Sequence, residues 1–395
     1  MGGQALTQGQ ADMKLSNLLT VFHLLVDREP VSRAELAKLS GMSPTSITRF
    51  VGHMLALGLL RETPDREKKV GRTATLLRLE ESALYSVGIS LDSTYIHVAL
   101  LNFRKKLVGE RAEKNPFAAP TLEQALEVAH RLYTGLLQET GVPPAQVCGV
   151  GVTMPGVMQG SEILAFTPQL QWKGLNVRRA VQQRFGTENV RVENDCNAAL
   201  LGQCVLDPEL RKQDAAFLCI GSGVGSAVSY QGRLFSKPGG LSFSEIGHTV
   251  VQPDGMVCDC GNRGCLQTFL TVGALVNRAR AYDSTVASME DIGRAWQQGV
   301  PWARELIGVA CTYAKMAVNT LSCMYTPQVI LIGGESIDRF GEMFGGIFSE
   351  PQLFFEPFKG RVELRRLNGM YRKGLVGVSQ QVQEDSLREK LRRAL

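Results

Sequence analysis

Residues 190–202 read V-R-V-E-N-D-C-N-A-A-L-L-G, an alternating apolar segment that passes directly into a helical pattern. Val190 and Val192 alternate with polar residues, which predicts a strand. Asp195 then stands where a helix N-cap belongs, before a run of small and apolar residues. Similar buried strands ending in glycine turns occur at 147–157, 215–234 and 327–337. Strands interleaved with helices predict an α/β fold, and two successive hairpin-plus-helix units predict two lobes with a cleft between them.

The bulk composition narrows the class of protein. The chain has 395 residues, of which 44% are hydrophobic and 21% charged, and its net charge is +5. This length predicts two or three domains, and the mild positive charge permits an anionic partner without requiring one. The sequence has no apolar run long enough for a bilayer and no basic-then-apolar signal segment at its start, so we expect a cytoplasmic protein without membrane insertion.

The first eighty residues follow the order of a helix-turn-helix. A short helix capped by Ser32 ends at Gly41, and Ser43 caps the next helix with Pro44 in its first turn. One face of that helix is apolar and the other is polar. The polar face fits a DNA major groove, where arginine reads guanine and hydroxyl groups reach bases or phosphates. The candidate DNA-binding residues on this helix are Ser43, Thr45, Ser46, Thr48, Arg49 and His53.

A basic segment follows this helix and precedes the alternating run 75–79. A basic hairpin after a helix-turn-helix predicts a wing that contacts phosphates or the minor groove. Its candidate DNA-binding residues are Lys68, Lys69 and Arg72. A small helical domain with a solvated charged loop is the alternative, but the order of cap, turn, polar helix and basic hairpin favours binding to double-stranded operator DNA.

Six motifs together resemble the ROK family of repressors, open reading frames and sugar kinases. They are P-G (155–156), E-N-D-C-N-A-A (193–199), G-S-G-V-G (221–225), E-I-G-H (245–248), C-D-C-G-N-R-G-C-L (258–266) and I-G-G (332–334). The resemblance implies a two-lobed actin-like (ribonuclease-H-like) body, and the N-terminal domain is similar to that of the family's sugar-responsive repressors. We therefore expect a winged helix-turn-helix domain at 1–82, a small lobe at 83–205, and a large lobe at 206–395 that includes the zinc site and a C-terminal helix.

The ROK resemblance also implies a structural zinc site. The family's four ligand positions match His248, Cys258, Cys260 and Cys265. One imidazole and three thiolates form a closed tetrahedral ligand set that suits Zn²⁺. The ion would join the loop that carries Glu245 to the loop that carries Gln267. Three reduced thiols on a loop without metal are the alternative.

A sugar pocket is the next implication of the resemblance. The positions carried over from the family's motifs are Gly156, Gln169, Asn194, Asp195, Glu245 and Gln267. Asp195 matches the family's general base and would be catalytic only if the chain is a kinase. Gln169 replaces the family's usual asparagine and Gln267 its usual glutamate, so we expect an altered preference for the sugar or sugar phosphate.

The ATP phosphate turn departs from the family pattern. A ROK kinase carries D-I-G-G-T there, whereas residues 90–94 of this chain read S-L-D-S-T. Glycines let a backbone approach phosphate closely, and a carboxylate in that place repels it. The resemblance therefore favours a regulator with a degenerate, non-enzymatic kinase domain over a sugar kinase that carries an extra DNA-binding domain.

Two further features concern partners. Repressors with this head bind palindromic sites as two-fold dimers, so we expect a homodimer or a tetramer. Leu387, Leu391 and Leu395 repeat every four residues near the C-terminus. This stripe predicts packing against the protein's own domain, with a docking site for a protein partner as the alternative.

Overall fold

The computed structural model describes residues 8–64, 75–117, 119–160, 162–235, 240, 245–349 and 354–394. The predicted wing residues Lys68, Lys69 and Arg72 lie outside this part of the chain, as does Leu395. Within the described part, the chain forms a small N-terminal domain, here called the head, and two lobes that are each built on a five-stranded sheet.

The head consists of three helices and a small antiparallel sheet. In chain order its elements are α1 (Gln8–Arg28), β1 (Val31–Ser32), α2 (Arg33–Ser40), α3 (Pro44–Ala56), β2 (Leu60–Pro64) and β3 (Thr75–Leu79). Side-chain caps fix the helix starts: the Glu35 N–H donates to Ser32 Oγ at 3.2 Å, and the Ser46 N–H donates to Ser43 Oγ at 3.2 Å. Gly41 ends α2 with a φ of 69°, a conformation that glycine adopts without strain.

The first lobe follows the head. Its elements are β4 (Tyr85–Leu91), β5 (Tyr95–Leu101), β6 (Leu107–Lys114), α4 (Leu122–Thr140), β7 (Val147–Met154), β8 (Val157–Gln159), β9 (Ile163–Thr167), β10 (Trp172–Asn176), α5 (Val177–Phe185), β11 (Val190–Asn194) and α6 (Asp195–Leu206). The main sheet has the order β11-β7-β4-β5-β6, with β7 parallel to both of its neighbours. Strands β8, β9 and β10 form a separate small sheet. Because parallel strands end at the same edge, β7 and β11 bring Met154 and Asn194 side by side.

The second lobe repeats the hairpin-plus-helix plan. Its elements are β12 (Ala215–Ile220), β13 (Val224–Tyr230), β14 (Arg233–Leu234), α7 (Gln267–Leu270), α8 (Val272–Ala279), α9 (Met289–Gln297), α10 (Pro301–Tyr325), β15 (Val329–Gly333), α11 (Glu335–Phe340) and β16 (Glu363–Leu367). The sheet has the order β14-β13-β12-β15-β16, with β15 parallel to β12 and β16. The glycine-rich turn predicted after Ile220 joins β12 to β13.

The last helix, α12 (Met370–Arg393), returns from the second lobe to the first. It packs against α6, β4 and β7, whereas the expected division assigned it to the second lobe. Glycines allow close contact: a methyl group on Gly202 would lie 1.8 Å from the Lys373 carbonyl oxygen, and one on Gly377 would lie 2.0 Å from that of Ala198. Gln383 Nε2 donates to Ser86 Oγ at 2.8 Å and completes the contact with β4.

The end of α12 belongs to the core of the head. Leu387 and Leu391 are 1% and 0% exposed and share one apolar cluster with Leu18, Phe22 and Leu25 of α1. The side chain of His23 adds a contact of 3.5 Å with Glu384. The leucine stripe therefore packs within the protein, and its described members are not available to an external partner.

Candidate functional site

A cleft of about 840 Å³ opens between the two lobes. The ends of β7 and β11 form one wall, the turn between β12 and β13 forms the other, and the turn between β4 and β5 lies at one side. The first turn of α12 contributes Met370 and Tyr371. All six residues predicted to bind sugar line this cleft: Gly156, Gln169, Asn194, Asp195, Glu245 and Gln267. The fold thus brings them together, and their binding role stays a prediction.

Asn194 holds the entrance to helix α6. Its Oδ1 accepts hydrogen bonds from the Cys196 N–H at 2.9 Å and the Asn197 N–H at 3.2 Å, and its Nδ2 donates to the Gly156 carbonyl at 3.0 Å. Asn194 is therefore the N-cap, and the expectation that Asp195 fills that position was wrong by one residue. Asp195 is the first residue of α6; its Oδ1 accepts the Cys196 N–H at 2.8 Å, and the residue lines the cleft.

The two glutamines that replace the family's usual residues, Gln169 and Gln267, make different contacts. The Thr167 hydroxyl and Gln169 Oε1 lie 3.1 Å apart, which places Gln169 at the end of the small sheet. Gln267 Nε2 lies 3.2 Å from Cys258 Sγ. Gln267 therefore contacts the cysteine cluster and the cleft at once.

The carboxylates in the cleft have shifted acidities. Burial, with a contribution from the nearby Asp92 carboxylate, raises the pKa of Asp195 to about 6. Burial and then the charge of Asp195 raise the pKa of Glu245 to about 7. Carboxyl groups of this kind accept hydrogen bonds when ionised and donate when protonated, so they match the mixed donors and acceptors of a polyol.

The turn between β4 and β5 carries Asp92 in place of a glycine. Its Oδ1 accepts the Thr94 N–H at 2.8 Å, and its own N–H donates to the Tyr95 carbonyl at 3.2 Å. The turn therefore uses both of these backbone amides internally. An added phosphate would meet a carboxylate there, which disfavours ATP binding.

A possible metal centre lies beside the cleft. The ligand atoms of His248, Cys258, Cys260 and Cys265 all lie within 4.8 Å of one another. Cys258 Sγ is 3.7 Å from His248 Nδ1, and Cys260 Sγ is 3.6 Å from Cys265 Sγ. A tetrahedron with bonds of ~2.3 Å to sulfur has edges of about 3.8 Å, so the donor set and its spacing fit Zn²⁺.

The head presents α3 outward. Thr45, Thr48 and Arg49 are exposed together with Ser43, while Ser46 and His53 are half-buried. The opposite face is buried through Ile47, Phe50, Val51 and Met54. The predicted DNA-binding residues on α3 thus share a helix whose apolar side is fixed by the core.

His97 and Tyr371 are among the cleft residues that the sequence did not predict. His97 of β5 and Tyr371 of α12 line the cleft with their ring centroids 3.7 Å apart. Burial lowers the pKa of His97, so it is neutral at pH 7. The alternation of β5 could have placed His97 on an inner face, but no local signal places the start of α12 at the cleft.

Comparisons with known proteins agree with this geometry. The ROK family model matches residues 86–351, more than half of the chain. The chain is 26% identical over 348 residues to the xylose repressor of Caldicellulosiruptor bescii, covering 84% of this chain and 86% of that one. It is 25% identical over 345 residues to the DNA-binding transcriptional dual regulator NagC of Escherichia coli, covering 85% and 84%.

A solved structure extends the similarity to the head. The crystal structure of a ROK family transcriptional regulator, a homolog of the E. coli MLC protein, superposes with a TM-score of 0.80 at 22% identity. The match covers 96% of this chain and 99% of that chain, which confirms the predicted fold of head and two-lobed body. Both the family model and the whole-chain fold therefore lead to one conclusion: the chain belongs to the ROK family.

Proposed function

We propose that the protein is a DNA-binding transcriptional repressor of carbohydrate metabolism and that its ROK body senses a sugar or a sugar derivative. One observation carries the proposal: a capped helix with an exposed polar face belongs to a head that shares its core with the last helix of the body. A relative named as a xylose repressor and one named as a DNA-binding transcriptional dual regulator align with 84% and 85% of the chain. Helix α3 would enter the major groove, with Thr45, Thr48 and Arg49 toward the bases.

The cleft would bind the effector. Hydroxyl groups of a sugar pair with carboxylates and amides, which Asp195, Glu245 and Gln267 supply in one cavity. Helix α12 begins at this cavity and ends in the head, so closure of the lobes around a sugar would move the head. Such a ligand changes DNA affinity only to the extent that it binds one arrangement better than the other.

Zinc would have a structural role. His248, Cys258, Cys260 and Cys265 would hold the ion, which closes the loop beside Glu245. When bound, it supplies rigidity rather than chemistry, since all four positions are filled by protein. Gln267 then keeps its amide group at the cleft through its contact with Cys258.

The assembly follows from the proposed DNA binding. We propose a two-fold homodimer, because a palindromic operator needs two heads in fixed relation. Among the described residues, no helix combines the length and the apolar character that crossing a bilayer requires. The partners that we propose are therefore duplex DNA and a small polyol.

The test begins with selection of binding sites from a random duplex library, because it needs no prior operator. Fluorescence anisotropy on the selected duplex should give specific binding that weakens about tenfold or more in Arg49→Ala, the loss expected for one base contact. Arg304→Ala is the matched control, since Arg304 is exposed on α10, outside the head. A chain that selects no duplex would refute the repressor function, and equal DNA affinity with every sugar of a panel would refute the sensor.

Asp195 favours one second candidate, a sugar kinase. Its position in the cleft and its pKa of about 6 suit a general base. An ATP-coupled assay on the same sugar panel decides the matter, with Asp195→Asn as control. We expect no turnover above background, because Asp92 stands in the phosphate turn. Robust turnover that Asp195→Asn abolishes would make the protein a kinase.

A further inference from the structure

The β4–β5 turn contains a negatively charged side chain, Asp92. Asp92 accepts the Thr94 N–H at 2.8 Å, so its carboxylate occupies the amide that would otherwise be free to bind a phosphate oxygen. Asp92 and Asp195 both line the cleft, and Asp92 is near enough for its charge to raise the pKa of Asp195. A group seated between this turn and Asp195 would therefore face two carboxylates.

The charged side chains in the rest of the described lining are also mostly negative. The cleft carries six carboxyl groups, those of Asp92, Asp195, Glu245, Asp259, Glu335 and Asp338. Arg339 is the single arginine or lysine among the described lining residues, and it is ion-paired with both Glu290 and Glu335. Phosphate esters in proteins are normally held by arginine, lysine or free backbone amides. Among the described lining residues, no lysine or arginine is left without a carboxylate partner to hold a phosphate.

Neutral hydrogen-bonding groups are present instead. Thr153 lines the cleft, is only 2% exposed, and its Oγ1 has no hydrogen-bond partner among the described residues. A buried hydroxyl without a partner costs free energy. His97 adds a neutral imidazole whose Nδ1 is likewise buried and unpaired within the described chain. The neutral side-chain amides of Gln169, Asn194 and Gln267 also line the cleft, and amides pair with sugar hydroxyls.

We propose that Asp92 makes the cleft selective for sugars without phosphate, so that the effector is an unphosphorylated sugar, neutral or with an amino group. The inference rests on the proposed sensor function and narrows it. A sugar phosphate carries nearly two negative charges at pH 7.5. Seated near Asp92 and Asp195, it would be repelled by both, whereas the parent sugar donates its hydroxyls to the same carboxylates.

The experiment measures binding of matched pairs to the full-length protein. Isothermal titration calorimetry at pH 7.5 would compare each sugar of a panel of pentoses, hexoses and hexosamines with its own phosphate ester. We expect at least one unphosphorylated sugar to bind, and its phosphate to bind at least tenfold more weakly. We call the ratio of the two affinities the gap. In Asp92→Asn this gap should shrink to less than about threefold, because the amide oxygen still accepts the Thr94 N–H while the charge is lost.

Asp283→Asn is the matched control: it changes the net charge equally, at a half-buried position whose neighbours are exposed and which is not part of the cleft lining. It should keep the wild-type gap. A sugar phosphate that binds as tightly as its parent overturns the selectivity, in the wild type and without any variant. A gap that persists in Asp92→Asn overturns the role of Asp92. Binding of no sugar of either kind overturns the proposed sensor, and the present inference with it.

Discussion

Replacing Leu391 by alanine should destabilise the head, although Leu391 lies at the opposite end of the sequence. Leu391 is 0% exposed and shares the core of the head with Leu18 and Leu25. The substitution removes about three carbon groups at ~0.8 kcal/mol each, so the transfer term is about 2.4 kcal/mol. The cavity left behind brings the total to roughly 3–5 kcal/mol. Since 1.4 kcal/mol changes an equilibrium constant about tenfold, the equilibrium constant for opening of the head should rise at least about 100-fold.

Native-state amide hydrogen exchange measures this opening directly. Peptides that cover α1 and α3 should exchange about 100-fold faster in Leu391→Ala, while peptides from β12 in the second lobe should not change. Leu39→Ala is the control within the head, because Leu39 is 41% exposed and its loss should cost little. Unchanged exchange in α1 and α3, with fraying confined to the end of α12, would refute the shared core.

Three further changes follow from individual contacts. Cys258→Ser should lose bound zinc, measured by metal analysis, and its Tm should fall by about 5–10 °C. Cys323→Ser, outside the cluster, should retain the zinc and the wild-type Tm. Equal metal content in the two variants would contradict the site. Burial lowers the pKa of Lys105 to about 8, below its value in the unfolded chain. Between pH 8 and ~10.4 the unfolded state thus binds more protons than the folded state. The free energy of unfolding, measured with urea, should therefore rise with pH in this range by less than ~1.4 kcal/mol per pH unit. Lys105→Met should remove this rise. Gly202→Ala should lower the free energy of unfolding in urea by about 1–3 kcal/mol or more, because the new methyl group would lie 1.8 Å from a carbonyl oxygen of α12. The control is Gly308→Ala, whose methyl group meets no atom within 4 Å and should be neutral or slightly stabilising.

Local signals predicted much of the fold. Ser43 and Pro44 marked the start of α3 because a cap and a first-turn proline act on their own backbone neighbours. The alternation of Val190 and Val192 likewise marked β11, since one face of a strand is buried wherever the strand lies. The two-lobed architecture and the ROK membership, carried by short motifs at strand ends, were confirmed.

Long-range partners were beyond these signals. Helix α12 has no single dominant apolar face, and nothing in its own residues predicts that it packs against β4 and β7. The cap of α6 was misplaced by one residue because Asn194 and Asp195 have nearly equal capping preference, and only the contact of Asn194 with Gly156 decides between them. His97 and Tyr371 meet in the cleft through the same tertiary packing.

The position of α12 also affects the order in which the protein is completed during synthesis. Strand β3 of the head ends at Leu79, but Leu387 and Leu391 leave the ribosome roughly 300 residues later. At about 5–20 residues per second, this delay is on the order of 15–60 s. Until then the nascent head lacks part of its interior. The protein therefore acquires a fully packed head only once both lobes have been made, and a prematurely terminated chain would carry an incomplete head.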